Sequence, residues 1–259
     1  MAQPPSQYTG FLYFVVRSPA PFVAHVQINR PQKLNAFHEA MWLELRDVFR
    51  RLSTDPDVRV VVLTGAGDRA FSAGLDIQAA SQNPVLQGGG GGNDTDIDAA
   101  RKAASTRRHI SEFQECIGSI EKCEKPVICV LHGISYGLAI DISCCADIRI
   151  CTRDTRFAVK EVDIGLAADI GTLNRLPKVV GNFSWVKDVC LSARDFGADE
   201  ALAVGFVSQV HESKPGAVEA AVQVAKFIAA KSPVAVQGTK EILNYSRDHS
   251  VEDSMSSQT

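Results

Sequence analysis

Apolar residues recur along this chain with two different periods. Phe11 to Arg17 and Phe22 to Ile28 read as two short strands, separated by a turn at Ser18-Pro19-Ala20-Pro21. From His38 to Ser53 the period lengthens. Met41, Leu45, Val48, Phe49 and Leu52 fall on one face of an amphipathic helix. Val58 to Leu63 predicts a buried strand, and Asp98 to Lys122 a long helix. Lys125-Pro126 leads into a second buried strand through Val130, Leu138 to Cys145 reads as helix, and Asp147 to Cys151 as strand. After Gly165 the pattern is mostly helical. Val218, Val222, Ala225, Ile228 and Ala229 mark one such helix, with Pro215 near its first turn. Strands alternating with helices predict an α/β core with parallel strands. The expected division is a tail over 1–10, the α/β core over 11–195 and a helical region over 196–259.

Composition narrows the function classes. The 259 residues carry 27 basic and 30 acidic side chains, a net charge of −3, which argues against a polybasic nucleic-acid binder. Seven cysteines without a C-x-x-C pair argue against a disulfide framework or a zinc site and for reduced, buried thiols. Met1 to Gly10 has neither a basic nor an apolar stretch, so no signal peptide is expected, and its lack of arginine argues against a mitochondrial presequence. No apolar run approaches the roughly 18 residues of a membrane span.

Two glycine patterns need separating from chemistry. Gly65-Ala66-Gly67-Asp68-Arg69-Ala70 matches the dinucleotide fingerprint on paper. That motif needs a helix beginning on the glycines, whereas Phe71 to Asp76 reads as another turn. The five glycines from Gly88 to Gly92 read as a flexible surface loop.

The acids are more informative. Asp141, Glu161, Asp163 and Asp169 stand among Ile, Val, Leu and Ala. A carboxylate in such company must be paired, hydrogen-bonded or protonated, and desolvation raises its pKa toward the range useful for proton transfer at neutral pH. The plainer alternative for Asp169 is a cap on a helix starting near Thr172. The turns Ser72-Ala73-Gly74-Leu75-Asp76 and His132 to Leu138 each follow a buried strand, and such turns aim backbone N–H groups into clefts.

These segments resemble the crotonase (enoyl-CoA hydratase/isomerase) superfamily. The resemblance rests on Asn29 to Ala36, Ala70 to Asp76, Lys125-Pro126-Val127 through His132-Gly133, and Ala146 to Arg149, and it extends from about residue 10 to 250. Asp141, Glu161 twenty residues later and Asp169 eight residues after that resemble the Δ3,5-Δ2,4-dienoyl-CoA isomerase group. A hydratase is similar at the first two acids and typically has Gly at the third.

The resemblance implies repeated ββα units with helices at the C-terminus, and trimers that pair into hexamers. It implies an acyl-CoA substrate with no metal or redox cofactor, while the net charge argues against a nucleic-acid partner and the lack of a long apolar run against a membrane span. It places the catalytic acids at Asp141, Glu161 and Asp169, with Asp169 kept protonated by an apolar site and Asp141 tuning Glu161. The oxyanion N–H groups are expected from Leu75 and Leu138, and further substrate contacts from Lys33, Ala36, Ala73, Gly74, Asp76 and Ile77. The expected setting is fatty acid β-oxidation, in the peroxisome first and the mitochondrion second.

Three features depart from the pattern. Leu138-Ala139 stands where relatives have glycines, the glycine run occupies a variable loop near the CoA site, and the chain stops at Thr259 where relatives continue through a further helix. A hydratase, or a non-catalytic crotonase-like subunit, is the alternative. The basic cluster Arg101, Lys102, Arg107 and Arg108 reads as a solvated helix face rather than a phosphate site, and His132 as structural.

Overall fold

The N-terminal alternation forms an antiparallel hairpin of β1 (Phe14–Ala20) and β2 (Val23–Ile28) in a computed structural model that describes residues 8–81 and 98–256. β1 runs through the expected turn as far as Ala20, with its register broken between Arg17 and Ala20. The Gly88–Gly92 loop lies outside the described residues.

After α1 (Glu39–Thr54) comes a repeated unit. β3 (Val60–Gly65) is followed by β4 (Ala70–Ser72) and α2 (Ile77–Ser81). After α3 (Ala99–Gly118), β5 (Val127–Leu131) is followed by β6 (Ile134–Tyr136) and α4 (Leu138–Cys144). β7 (Ile148–Thr152) is followed by β8 (Arg156–Ala158) and a 3-10 turn, Glu161–Ile164. The first strand of each unit enters a large sheet ordered β1-β2-β3-β5-β7, and the second enters a small sheet ordered β4-β6-β8. From β2 onward the large sheet is parallel, as are the neighbours in the small sheet from β4 to β8.

The chain continues through α5 (Thr172–Val179), α6 (Phe183–Ser192), β9 (Phe196–Gly197), α7 (Ala198–Ala203), β10 (Gln209–His211), α8 (Lys214–Ala229), α9 (Pro233–Ser246) and α10 (Val251–Ser256). β9 pairs with β8, and β10 completes the large sheet beside β7. The core therefore does not end at 195. The mostly helical pattern of the last third hid β9 and β10, because two- and three-residue strands carry too few positions to reveal a period.

Every residue of β3 is buried, as expected of a parallel strand covered on both faces. Val61 and Leu63 face the main core with α1, whose Met41, Leu45, Val48, Phe49 and Leu52 are fully buried. Val60 and Val62 face α8, which presents Ala217, Ala221, Ala225 and Ala229 at four-residue spacing. Small side chains on that face let α8 lie close against the sheet.

The small sheet sets the site. Its strands β4, β6 and β8 run parallel, so their C-terminal turns lie side by side at the inter-strand spacing of roughly 4.8 Å. Those turns carry Ala73 to Asp76, Gly137-Leu138 and Val159 to Glu161.

Candidate active site

The three turns open onto a cavity of about 560 Å³. Ala73, Gly74, Leu75, Asp76 and Ile77 line one side, and Gly137, Leu138, Asp141 and Glu161 another. Leu166 to Ile170, which includes Asp169, forms a third wall. The remaining wall is aromatic. Trp42 of α1 stacks on Phe113 of α3 at 3.8 Å between ring centroids, and His109 meets the Trp42 edge at 5.9 Å.

Gly74 and Gly137 bring the first two turns together. Both have positive φ, at 93° and 54°. A Cβ on Gly74 would lie 2.8 Å from the Tyr136 carbonyl oxygen, a clash with backbone that leaves glycine as the residue that fits. The same point is 3.5 Å from the Leu138 nitrogen, which fixes how closely the two turns approach. The neighbouring N–H groups of Gly74 and Asp76 donate to the Ser72 hydroxyl and the Phe37 carbonyl. The Leu75 and Leu138 N–H groups donate to no acceptor among the described residues. Two open donors beside a cavity have the arrangement that holding an oxyanion requires.

Glu161 stands next to this pair. Its Oε1 is 3.2 Å from where a Cβ on Gly137 would lie, and its Oε2 is buried with no hydrogen-bond partner among the described residues. Burial, and then the charges of Asp141 and Asp169, push its pKa up to about 7. Asp141 is buried in α4, and its Oδ1 accepts the Thr172 backbone N–H at 2.7 Å. Burial raises the Asp141 pKa to about 6, against the opposing effects of the Thr172 hydrogen bonding and the Arg175 charge. The cap at the start of α5 is thus Asp141, reaching across from another helix; the α5 N-cap, Gly171, supplies no side chain.

Asp169 lines the same cavity but is exposed. The expected apolar seat is absent, because its neighbours Leu166 and Ala167 are themselves exposed. Gln114 of α3 donates to the Asp169 carbonyl at 2.7 Å and ties this loop down.

The other expected residues divide. Asp76 caps α2 through the Ala79 N–H at 3.1 Å and pairs with Arg30 at 2.8 Å. Ala36 offers its carbonyl to Arg30, and Lys33 is exposed; neither lines the cavity. Asp163 is exposed and pairs with Lys160 at 3.4 Å. Arg101, Lys102, Arg107 and Arg108 lie on an exposed face of α3 and do not line the cavity. His132 is buried with Nε2 2.9 Å from the Gly67 carbonyl, and burial with the Lys214 charge pushes its pKa down to about 4. Gly65 to Gly67 turns into β4 rather than a helix. All seven cysteines are buried and unpaired. Among the described residues no group of three His, Cys, Asp or Glu side chains is arranged to hold a metal, and no helix is long and apolar enough to cross a membrane.

The aromatic wall and Thr172 are site features that the sequence did not announce. Trp42 and Phe113 look like ordinary core positions in their helices, and a backbone N–H leaves no trace in composition.

Over residues 20–258 the sequence matches the enoyl-CoA hydratase/isomerase family model. The chain belongs to that family. Among curated relatives, the mouse mitochondrial Δ(3,5)-Δ(2,4)-dienoyl-CoA isomerase is 48% identical over 240 residues, covering 93% of this chain and 71% of the relative. The peroxisomal enzyme of the same name from Arabidopsis thaliana is 39% identical, covering 90% and 81%. Among solved structures, an enoyl-CoA hydratase from Bacillus anthracis superposes with a TM-score of 0.81 at 25% identity, covering 95% of this chain and 87% of that one. The ββα repeat and the paired turns of the small sheet are thus those of an enoyl-CoA hydratase/isomerase fold.

Proposed function

We propose that this chain is a Δ3,5-Δ2,4-dienoyl-CoA isomerase of fatty acid oxidation. The observation that carries the reading is one cavity with two separate proton-transfer groups, Glu161 and Asp169, beside the open N–H groups of Leu75 and Leu138. The names of the mouse and Arabidopsis relatives support it.

The thioester oxygen accepts hydrogen bonds from Leu75 and Leu138, which acidifies C2. Glu161 as carboxylate takes a proton from C2. The electron pair moves through the C3=C4 and C5=C6 double bonds, with its negative charge shared by the thioester oxygen. Asp169 delivers a proton at C6, leaving double bonds at C2=C3 and C4=C5. Each turnover leaves Glu161 protonated and Asp169 ionised; the cavity they share, with Asp169 at its exposed side, lets Glu161 give its proton to solvent and Asp169 take one up before the next. Asp141 orients the α5 end of the site and holds up the pKa of Glu161 by its charge. Proton transfer along a polarised diene requires no group beyond the coenzyme A of the substrate.

The exposure of Asp169 favours one second reading, a hydratase in which Asp141 and Glu161 act on water. Diene conjugation followed by ultraviolet absorbance with a 3,5-dienoyl-CoA, beside hydration of a 2-enoyl-CoA, separates the two. Conjugation that is lost in Asp169→Asn supports the isomerase; hydration alone, retained in that variant, overturns it.

We further propose a homotrimer or hexamer. Phe227, Val234, Leu243, Val251 and Met255 are exposed on α8 to α10, an apolar surface that association would cover. Light scattering on the eluting protein tests this. The relatives named above belong to mitochondrion and peroxisome respectively, and for this chain we propose the peroxisome, to be tested by imaging the tagged full-length protein.

A further inference from the structure

Behind Asp141 lies a chain of charges that the reaction scheme does not use. Gly171, the residue before α5, separates Asp141 from Arg175. A Cβ on Gly171 would overlap Arg175 Nη1, and the same point is 3.8 Å from Asp141 Oδ1. The guanidinium therefore occupies the space that glycine leaves, close to the Asp141 carboxylate. It is held there by Glu121, whose Oε2 accepts from Arg175 Nε at 3.0 Å and Nη2 at 2.9 Å. The other Glu121 oxygen accepts from Arg247 Nη1 at 2.6 Å, at the C-terminal end of α9. All three side chains are at least three-quarters shielded, with 19%, 17% and 25% exposure.

We propose that Arg175 is a positioning residue for the reaction: clamped over Gly171 by Glu121 and Arg247, it fixes the α5 N-terminus that holds Asp141 and places a cation beside that carboxylate. Asp141 then acts on Glu161. The inference rests on the isomerase reading and deepens it. The titratable groups that interact electrostatically with Asp141 are Glu161 from the 3-10 turn, Arg175 from α5, Cys190 from α6, Cys144 on its own helix and Cys145 just beyond it. Arg175 is the cation among them, with the Glu121 charge behind it shared with Arg247.

The test measures kcat/KM against pH for wild type and for Arg175→Gln, Arg175→Lys, Gly171→Ala, Asp141→Asn and the double variant Asp141→Asn/Arg175→Gln. Thermal melts establish that each is folded. Without the guanidinium, Asp141 keeps its proton to higher pH, Glu161 loses a neighbouring negative charge, and the acid limb of the profile moves to lower pH. The maximal rate falls roughly ten- to a hundredfold as Asp141 loosens. Gly171→Ala displaces the guanidinium without removing it and gives a smaller shift in the same direction. Arg175→Lys restores the limb.

The double variant shows the same limb as Asp141→Asn alone, because Arg175 acts through Asp141. An acid limb in folded Arg175→Gln that stays in place or moves up, whether or not the rate falls, overturns the proposal. A wild-type protein that conjugates no diene defeats the isomerase reading instead. The Asp141 side-chain carboxyl, followed by carbon-13 NMR, then still reports whether Arg175→Gln raises its pKa.

Discussion

Asp141 and Thr172 sit thirty-one residues apart in sequence and share one hydrogen bond of 2.7 Å, from the Thr172 backbone N–H to the Asp141 carboxylate. The bond makes an acid of the cavity also the cap of the next helix. It fixes the carboxylate where its charge reaches Glu161. The same carboxylate is buried, so its ionisation sets protein stability and proton chemistry against each other.

The stability consequence has a definite sign. The folded pKa of Asp141, about 6, lies above its unfolded value of 3.8, so the folded state holds the proton more tightly. Stability is lost as pH rises through that window. Asp141→Asn keeps an oxygen for Thr172 and removes the charge. Urea unfolding is expected to show the variant more stable than wild type by about 1–3 kcal/mol at pH 8, with no gain at pH 4. Equal differences at both pH values would contradict the burial of a charged Asp141.

The same variant bears on Glu161. With the Glu161 pKa near 7, wild-type kcat/KM is expected to fall as pH drops through neutrality and the proposed base takes up a proton. Asp141→Asn removes one of the two charges holding that pKa up, so the falling limb moves to lower pH. Stopped-flow or steady-state rates across pH 5–9 measure the shift. The reverse direction would mean that the Asp141 carboxylate is needed in the chemistry itself.

Asp169→Asn is expected to lower diene conjugation by about 10²- to 10⁴-fold, the range for loss of a proton-transfer group. Because Asp169 is exposed, unfolding free energy should stay within about 0.5 kcal/mol of wild type. A large stability loss would instead identify the residue as structural.

Leu138→Pro isolates an oxyanion donor. Leu138 is the first residue of α4, a position where proline is tolerated, and its N–H makes no bond within the described residues. The substitution removes the donor while leaving the helix intact. The expected loss in kcat is 10²- to 10³-fold, about 2.7–4 kcal/mol of transition-state stabilisation. A folded Leu138→Pro protein with full activity would mean the thioester oxygen binds elsewhere.

Phe113→Ala opens the aromatic wall. The stack with Trp42 is lost, and unfolding free energy should drop by about 3 kcal/mol. Acyl chains that the wild type turns over poorly because of length or branching should gain relative to short ones. A panel of acyl-CoA chain lengths assayed side by side provides the check.

The elements with enough residues to show a period were legible in the sequence. α1 needed only Met41 to Leu52, and β3 only its unbroken valines. β4, β6, β8 and β9 have two or three residues each, so the small sheet was invisible until its register was seen. That sheet is what makes the site, which explains why the individual acids could be named while their arrangement could not. Asp169 shows the limit from the other side. A run of apolar letters around an acid implied burial, yet Leu166, Ala167 and Asp169 are exposed on a loop. Arg175 carried no sequence signal of its own, since its partner Glu121 lies fifty-four residues away.

The ordering of the small sheet separates two kinds of change the protein can undergo. The Leu75 and Leu138 N–H groups and Glu161 are spaced by main-chain pairing between β4, β6 and β8, a distance that side-chain substitution barely alters. The second acid hangs on the loop from Gly165 to Gly171, outside that lattice of strands. In the proposed reaction the destination of the proton is therefore adjustable by a single residue on a tether, while the activation of the thioester is built into the backbone and inherited by any reaction that the loop directs.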